Sequence, residues 1–323
     1  MKTLADQAAA TFNEVMATHA VDIHTFPADF SIGQQCTLPA LNQRGERLSN
    51  QLFDLLFPRL ESGTYYHYLT LEAFEKVVEH GSLRFFSTKK LSSDGEFIPL
   101  CQDLELDGYW RIGADGKPEG EHTALMDDLF YKSFVSCPET NAEELWDTFA
   151  GHGTGVRIAV RIDVHPEYPD FRRVSYQDSN SVSVLKDLLE SFRSLSRHFI
   201  PFGISRMPAY HQLKKYAYQN ECRLIAKRHP GAHDCFPFQV SRDESQRCNY
   251  IDCSLQTPTC SSFQLQLVRV EKGPSCDASN FRGILEKLEG HDRMDAAFLR
   301  SLPRPQSLEP PPLPTEEYAV RRL

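Results

Sequence analysis

Apolar residues recur at helical spacing near the start of the chain, where Ala5, Ala8, Ala9, Phe12, Val15 and Met16 mark one face of a helix. Leu48, Leu52, Leu55 and Leu56 mark another, and Pro27, Gly33 and Pro39 punctuate the stretch between them. Residues 1–62 therefore read as an N-terminal helical extension. At Ser62-Gly63 the pattern changes. Thr64 to Thr70 has the aromatic and β-branched content of a strand. Leu71 to about Glu79 predicts a helix closed by a glycine cap at Gly81, and Ser82 to Thr88 predicts a second strand.

Turn signals then dominate Lys89 to Lys117, with Ser92-Ser93-Asp94-Gly95 and Gly113-Ala114-Asp115-Gly116, and predict long surface loops. Tyr131 to Cys137 reads as a strand, and Ala142 to Ala150 as a short helix with Leu145, Trp146 and Phe149 on one side. Val156 to Ile162 alternates apolar residues with Arg157, Ala159 and Arg161, the pattern of a half-exposed strand. A helix is predicted over Val182 to Phe199. A loop through Pro201, Gly203 and Pro208 and a helical lead-in from Ala209 to Ala217 follow it. Next comes Tyr218-Gln219-Asn220-Glu221-Cys222-Arg223-Leu224-Ile225, read as a short strand. On a strand, residues two apart face the same way, so Gln219 and Glu221 are expected to project an amide and a carboxylate together. Phe263 to Val270 predicts a strand and Phe281 to Leu288 a helix. One domain is assigned to residues 63–290, and a proline-rich tail to residues 291–323.

Composition narrows the classes. With 323 residues and 41% hydrophobic content the chain can bury a sizeable core. A net charge of −9 excludes a protein that coats nucleic acid through a global positive field, while leaving room for a local basic patch. No apolar run approaches the ~20 residues needed to span a bilayer, and Met1 to Gln7 does not open a secretory leader. The nine cysteines are an odd number. The expectation is a cytoplasmic protein with reduced thiols and no membrane partner.

Several familiar chemistries lack their patterns. Five cysteines lie between Cys235 and Cys276 near His229 and His233, but no pair has the spacing of a zinc knuckle. Asp94, Glu96, Asp103, Glu105 and Asp107 read as solvated loop carboxylates, so no metal is expected. Gly151 to Gly155 precedes a strand instead of opening a helix, unlike a dinucleotide loop. No cysteine sits in a setting that would activate it as a nucleophile.

Three pieces distant in sequence remain: His67 in the middle of an aromatic strand, Ser87-Thr88 ending the next, and Gln219 two before Glu221. Together they resemble the strand motifs of the mono-ADP-ribosyltransferase superfamily. From about Thr64 to Ala278 the chain is also similar to a widespread bacterial domain-of-unknown-function family. That family's Y-K-Y, F-N-D-P-F-E, M-W-x-x-Y-A, Y-E-K-E-Y-R and L-G-P elements find counterparts here. They are Tyr66-His67-Tyr68, Ser93 to Phe97, Leu145 to Ala150, Tyr218 to Arg223, and Val268 to Pro274. The chain departs from it at Ser93, where the loop has asparagine, and at Gln219, where the first residue of the pair is glutamate.

The resemblance implies an α+β fold with a split, mostly antiparallel sheet, NAD in its cleft and the N-terminal helices as a cap. It implies an enzyme moving ADP-ribose from NAD to a protein or nucleic acid, as a toxin or a phage-defence effector, with an antitoxin or regulatory partner. Glu221 would be the catalytic carboxylate and Gln219 would orient the acceptor. Ser87 and Thr88 would hold the nicotinamide end, and His67 and Tyr68 the NAD ribose or diphosphate. Arg223, Lys215 and Trp146 would face the acceptor or substrate. Glutamine in the first position resembles enzymes acting on asparagine, other side chains or nucleobases, so the target class stays open. Two other readings stay open as well: a nucleotide or nucleic-acid binding module without turnover, and an NAD glycohydrolase with water as acceptor.

Overall fold

The computed structural model describes residues 2–93, 96, 100, 104, 111–112, 118–119, 126, 128–136, 140–166, 168, 170–177, 179–201, 203–228, 238–255, 260 and 262–289. The first part comprises α1 (Leu4–Thr18), β1 (Phe30–Ile32), β2 (Cys36–Pro39), α2 (Gln43–Leu56), β3 (Gly63–Leu69), α3 (Leu71–His80), β4 (Ser82–Ser87) and α4 (Lys89–Ser93). Next come β5 (Arg111–Ile112), β6 (Pro118–Glu119), β7 (Leu129–Val135), α5 (Ala142–Phe149), β8 (Val156–Val164), β9 (Phe171–Arg173), β10 (Ser175–Tyr176) and α6 (Asn180–Ser194). The last part is β11 (His198–Phe199), a 3₁₀ segment Ile204–Tyr210, β12 (His211–Gln212), a second 3₁₀ segment Lys214–Gln219, β13 (Glu221–Lys227), β14 (Ser241–Asp243), β15 (Cys248–Ser254), β16 (Phe263–Lys272) and α7 (Ala278–Glu289). The fold class is α+β, a curled antiparallel sheet with several helices.

Local chemistry explains the first βαβ stretch. Thr70 caps α3 by accepting from the Ala73 N–H, and Gly81 ends it at φ 62°, a left-handed conformation that glycine adopts without a Cβ clash. Thr3 and Asp6 form a reciprocal capping box at α1.

The central sheet has nine strands in the order β14-β15-β4-β7-β3-β8-β16, with β13 and β9 branching from β7. β13 takes one whole edge of β7, pairing Glu221 with Val135 and continuing to Lys227 with Leu129. The other edge is shared. β4 pairs there at Phe86↔Tyr131 and Ser87↔Phe130, whereas β3 meets it at Tyr66↔Val135. Both run antiparallel to β7 and so parallel to each other, yet they contact different stretches of it. Residues 132–134 of β7 carry no ladder partner on that edge among the described residues, and the sheet splits there.

One sheet face buries Tyr65, Leu83, Phe85, Phe130, Phe134, Ile158, Leu224 and Ile251, with α3 and α7 over it and Phe74 stacked on Phe281 at 6.1 Å. A second apolar cluster joins α1 and α2 to α6 through Phe12, Phe53, Leu188, Phe192, Tyr210 and Ile225. The three-stranded sheet β1-β2-β11 lies beside it. Residues 1–62 thus share a core with residues 182–210.

Several elements differ from expectation. The punctuated stretch between the first two helices forms the β1-β2 pair. α6 stops at Ser194, Ser196 turns at φ 58°, and His198–Phe199 pairs with β2. The lead-in from Ala209 is 3₁₀ helix interrupted by β12, and β14-β15 occupies a stretch without a clear pattern. Leu91, Leu100 and Leu104 are buried in the second cluster, so turn residues mask core contacts within 89–117. Residues 291–323, the expected tail, lie outside the described residues. Among the described residues no helix is long and apolar enough to cross a membrane.

Gly155, before β8, fixes the approach to β3: a Cβ there would lie 2.1 Å from the Leu69 carbonyl oxygen and 3.0 Å from that of Ala150. Backbone cannot yield cheaply. Gly155→Ala is expected to destabilise the fold by about 1–3 kcal/mol, the cost of overpacking, read as a lower urea midpoint with unchanged m-value.

Candidate functional site

A cavity of about 220 Å³ opens where β3 and β4 part from β7. Tyr66, His67 and Tyr68 of β3 form one wall, and Tyr131, Ser133, Phe134 and Val135 of β7 form the floor. Gln212, Gln219, Glu221 and Arg223 close the far side, with Lys90, Glu96 and Phe149 at the margins.

The chemistry concentrates on β13. Glu221 and Arg223 are two apart on the strand, so pleating puts carboxylate and guanidinium on one face, where both are buried. Arg223 donates from Nε to Glu221 Oε1 at 2.7 Å and from Nη2 to Oε2 at 3.1 Å. Its Nη2 also donates to Glu96 Oε2 at 2.8 Å, and its Nη1 to the Ala209 carbonyl at 2.8 Å. Gln212 Nε2 donates to Glu96 Oε2 at 2.8 Å and approaches Glu221 Oε2 at 3.4 Å. The Glu221 N–H is accepted by the Tyr176 hydroxyl at 3.0 Å. Burial disfavours the charged guanidinium, but the two glutamates outweigh it and raise the Arg223 pKa. Burial and then the charge of Glu221 raise that of the Tyr176 phenol.

Gln219 reaches the cavity by a different route from the one expected. It ends a 3₁₀ segment, Asn220 turns through φ 44°, and the strand begins only at Glu221. The two side chains therefore share no strand face. The tight turn brings both to the cavity lining, and both are buried.

His67 is half-buried on the face of β3 opposite to Tyr66 and Tyr68, with its ring edge-on to Phe134 at 6.0 Å. Burial, and then the charge of Lys132, hold its pKa well below the ordinary value, against an upward pull from a hydrogen bond with the Ser133 backbone. A neutral imidazole suits a ribose hydroxyl better than a diphosphate. Tyr68 is buried, packs edge-on against Trp146 at 4.9 Å, and its hydroxyl accepts from Arg157 Nη1 at 3.3 Å. Trp146 lies behind Tyr68 and does not line the cavity; Phe149, further along α5, does.

Ser87 and Thr88 are fully buried and outside the lining. Ser87 shares the core-facing side of β4 with Phe85, and Thr88 Oγ1 donates to the Met126 carbonyl at 3.1 Å. The Thr88 hydroxyl is thus spent on the interior, whereas Ser87 Oγ is buried without a hydrogen-bond partner among the described residues. Lys215 is exposed over the Tyr216 ring and likewise lies outside the lining.

The sequence patterns do not single out Gln212 or Lys90, and they place Glu96 both in the Ser93–Phe97 element of the resemblance and among solvated carboxylates. Partnership with Arg223 distinguishes Glu96, and no local pattern signals it. Among the described residues, no group of three or more His, Cys, Asp or Glu could hold a metal ion. Cys36, Cys222, Cys248, Cys253, Cys260 and Cys276 are free thiols. Comparison of the chain with protein-family models, with curated proteins and with solved structures returned no match.

Lys132 lies on the core side of β7, where burial, then Lys90 and Arg84, push its amine down to about 7 from 10.5. Between those values the unfolded chain binds the proton more tightly, so this group costs stability at and below pH 7, and the cost fades as pH rises toward 10.5. Lys132→Met is expected to melt above wild type at pH 7, with the gap closing toward pH 10.5; a gap independent of pH contradicts this.

Proposed function

We propose that the chain is an ADP-ribosyltransferase-like enzyme that moves ADP-ribose from NAD to a macromolecule, with Glu221 as its central carboxylate. One observation carries the reading: a buried, oriented carboxylate beside a cavity formed where an antiparallel sheet splits. The split between β3 and β4 is the feature that fits an ADP-ribosyltransferase-like sheet.

Cleavage of the nicotinamide–ribose bond passes through an oxocarbenium-like sugar, and contacts to the 2-hydroxyl strengthen as positive charge develops. Glu221 supplies the opposing charge at a fixed position. Arg223 holds it aimed through hydrogen bonds to both oxygens, so little reorganisation is needed during the reaction. The cavity of about 220 Å³ is smaller than the ~300–1,000 Å³ typical of pockets enclosing a drug-sized ligand, so it seats the nicotinamide–ribose end. Tyr66, Tyr131 and Phe149 offer aromatic surface to the ring, and His67 offers a neutral imidazole to a ribose hydroxyl. Gln219 stands where its amide can orient the acceptor. The acceptor is a protein or a nucleic acid, and the biological setting is that of a toxin or phage-defence effector. The free thiols fit a reducing, cytoplasmic compartment.

Arg223 occupies both Glu221 oxygens, which favours one rival: a nucleotide-binding module in which the pair is structural. Free nicotinamide, measured with NAD, cell lysate and bulk RNA and DNA, separates them. Glu221→Gln is expected to lower release by about 10²–10³-fold, the loss seen when a charge-stabilising group is removed, with NAD affinity within a few fold by calorimetry. Equal release from both proteins contradicts the assignment of Glu221. NAD binding by wild type without release favours the rival.

A further inference from the structure

We infer that Glu96 is the base that takes the proton from the incoming nucleophile, an inference that rests on the ADP-ribosyl-transfer reading above. Sugar transfer at an oxocarbenium-like carbon commonly divides its work between two carboxylates, one facing the developing charge and one handling the proton. This site contains such a pair, from segments far apart in sequence. Arg223 Nη2 lies 2.8 Å from Glu96 Oε2 and 3.1 Å from Glu221 Oε2, and Gln212 Nε2 lies 2.8 Å and 3.4 Å from the same oxygens. One guanidinium and one amide therefore hold both carboxylates at a common point on the cavity lining.

Depth divides their roles. The Glu221 side chain is 7% exposed with both oxygens bound by Arg223, whereas that of Glu96 is 28% exposed. Glu221 is the fixed charge within the site, and Glu96 is the carboxylate nearer to solvent, from which a nucleophile arrives. The other candidates serve less well. Gln219 has an amide, which cannot take a proton at neutral pH, and burial holds the His67 imidazole well below its ordinary pKa, which makes it a weak base.

In the step, the bond between ribose C1 and the nicotinamide nitrogen breaks, and nicotinamide leaves with both electrons as a neutral ring. The nucleophile X–H bonds to C1 through its lone pair, and Glu96 accepts its proton and later returns it to water. A nucleophile that carries no proton bypasses this requirement.

The test follows nicotinamide release by the full chain with water, methanol or sodium azide as nucleophile. Glu96→Ala is expected to lose about 10²–10⁴-fold with water and methanol, the usual contribution of a general base. Azide should restore release and yield ADP-ribosyl azide by mass spectrometry. Glu96→Gln, which keeps the side-chain length, should also lose the acidic limb of the pH profile, and its thermal melt checks folding. Release by Glu96→Ala in water within a few fold of wild type overturns the inference. So does a loss that azide leaves unrestored in a variant melting like wild type. Intact release by Glu96→Ala alongside loss in Glu221→Gln overturns the role of Glu96 alone. Absence of release by wild type with all three nucleophiles overturns the transfer reading and this inference together.

Discussion

Glu221 and Arg223 are buried against each other on β13, and neither charge could remain there alone. Taking each ion from water costs several kcal/mol, and removing one partner from such a pair typically costs about 3–5 kcal/mol, because the other charge is left uncompensated. Arg223 offsets that cost by using its planar fork in several directions: to Glu221 on its own strand, to Glu96 after α4, and to the Ala209 carbonyl. Gln212 of β12 bridges to the same carboxylates. Glu96, the segment from Ala209 to Gln212 and β13 are thereby tied to one point.

The sheet supplies the space beside that point. A fully paired β7 would leave no opening, but β3 and β4 take different parts of its free edge and separate between them. His67 fills part of the gap and stays neutral through burial and the nearby charge of Lys132. The opening is bounded by rings from β3 and β7 and closed by the β13 ion pair. An aromatic-walled pocket with fixed charge at one end is the kind of site in which electrostatic stabilisation is strong.

The parts legible in sequence are those decided locally. The β3-α3-β4 unit shows itself through its aromatic strand, the Thr70 cap and Gly81. The apolar periodicities of α1 and α2 coincide with buried residues such as Phe12 and Leu52. Glu221 and Gln219 are recognisable as a pair, although the route of Gln219 through a 3₁₀ segment and the turn at Asn220 depends on β12 and the packing around it. Ser87 shows the limit more sharply. Alternation with Phe85 places both on one face, but which face of β4 is the core is decided by β15, β7 and the helices above them. The role of Glu96 depends on a contact with Arg223 across 127 positions of chain, and a loop carboxylate carries no local mark of that contact.

The proposed role of the Glu221–Arg223 pair is to close the far side of an NAD site. It is tested most directly by a crystal structure of the full chain with a non-cleavable NAD analogue in which the nicotinamide–ribose bond is carbon-linked. The ribose 2-hydroxyl is expected within hydrogen-bond distance of the Glu221 carboxylate, with Arg223 still holding that carboxylate and the nicotinamide between β3 and β7. An empty cavity at saturating analogue, or a dinucleotide bound away from Glu221, would contradict it.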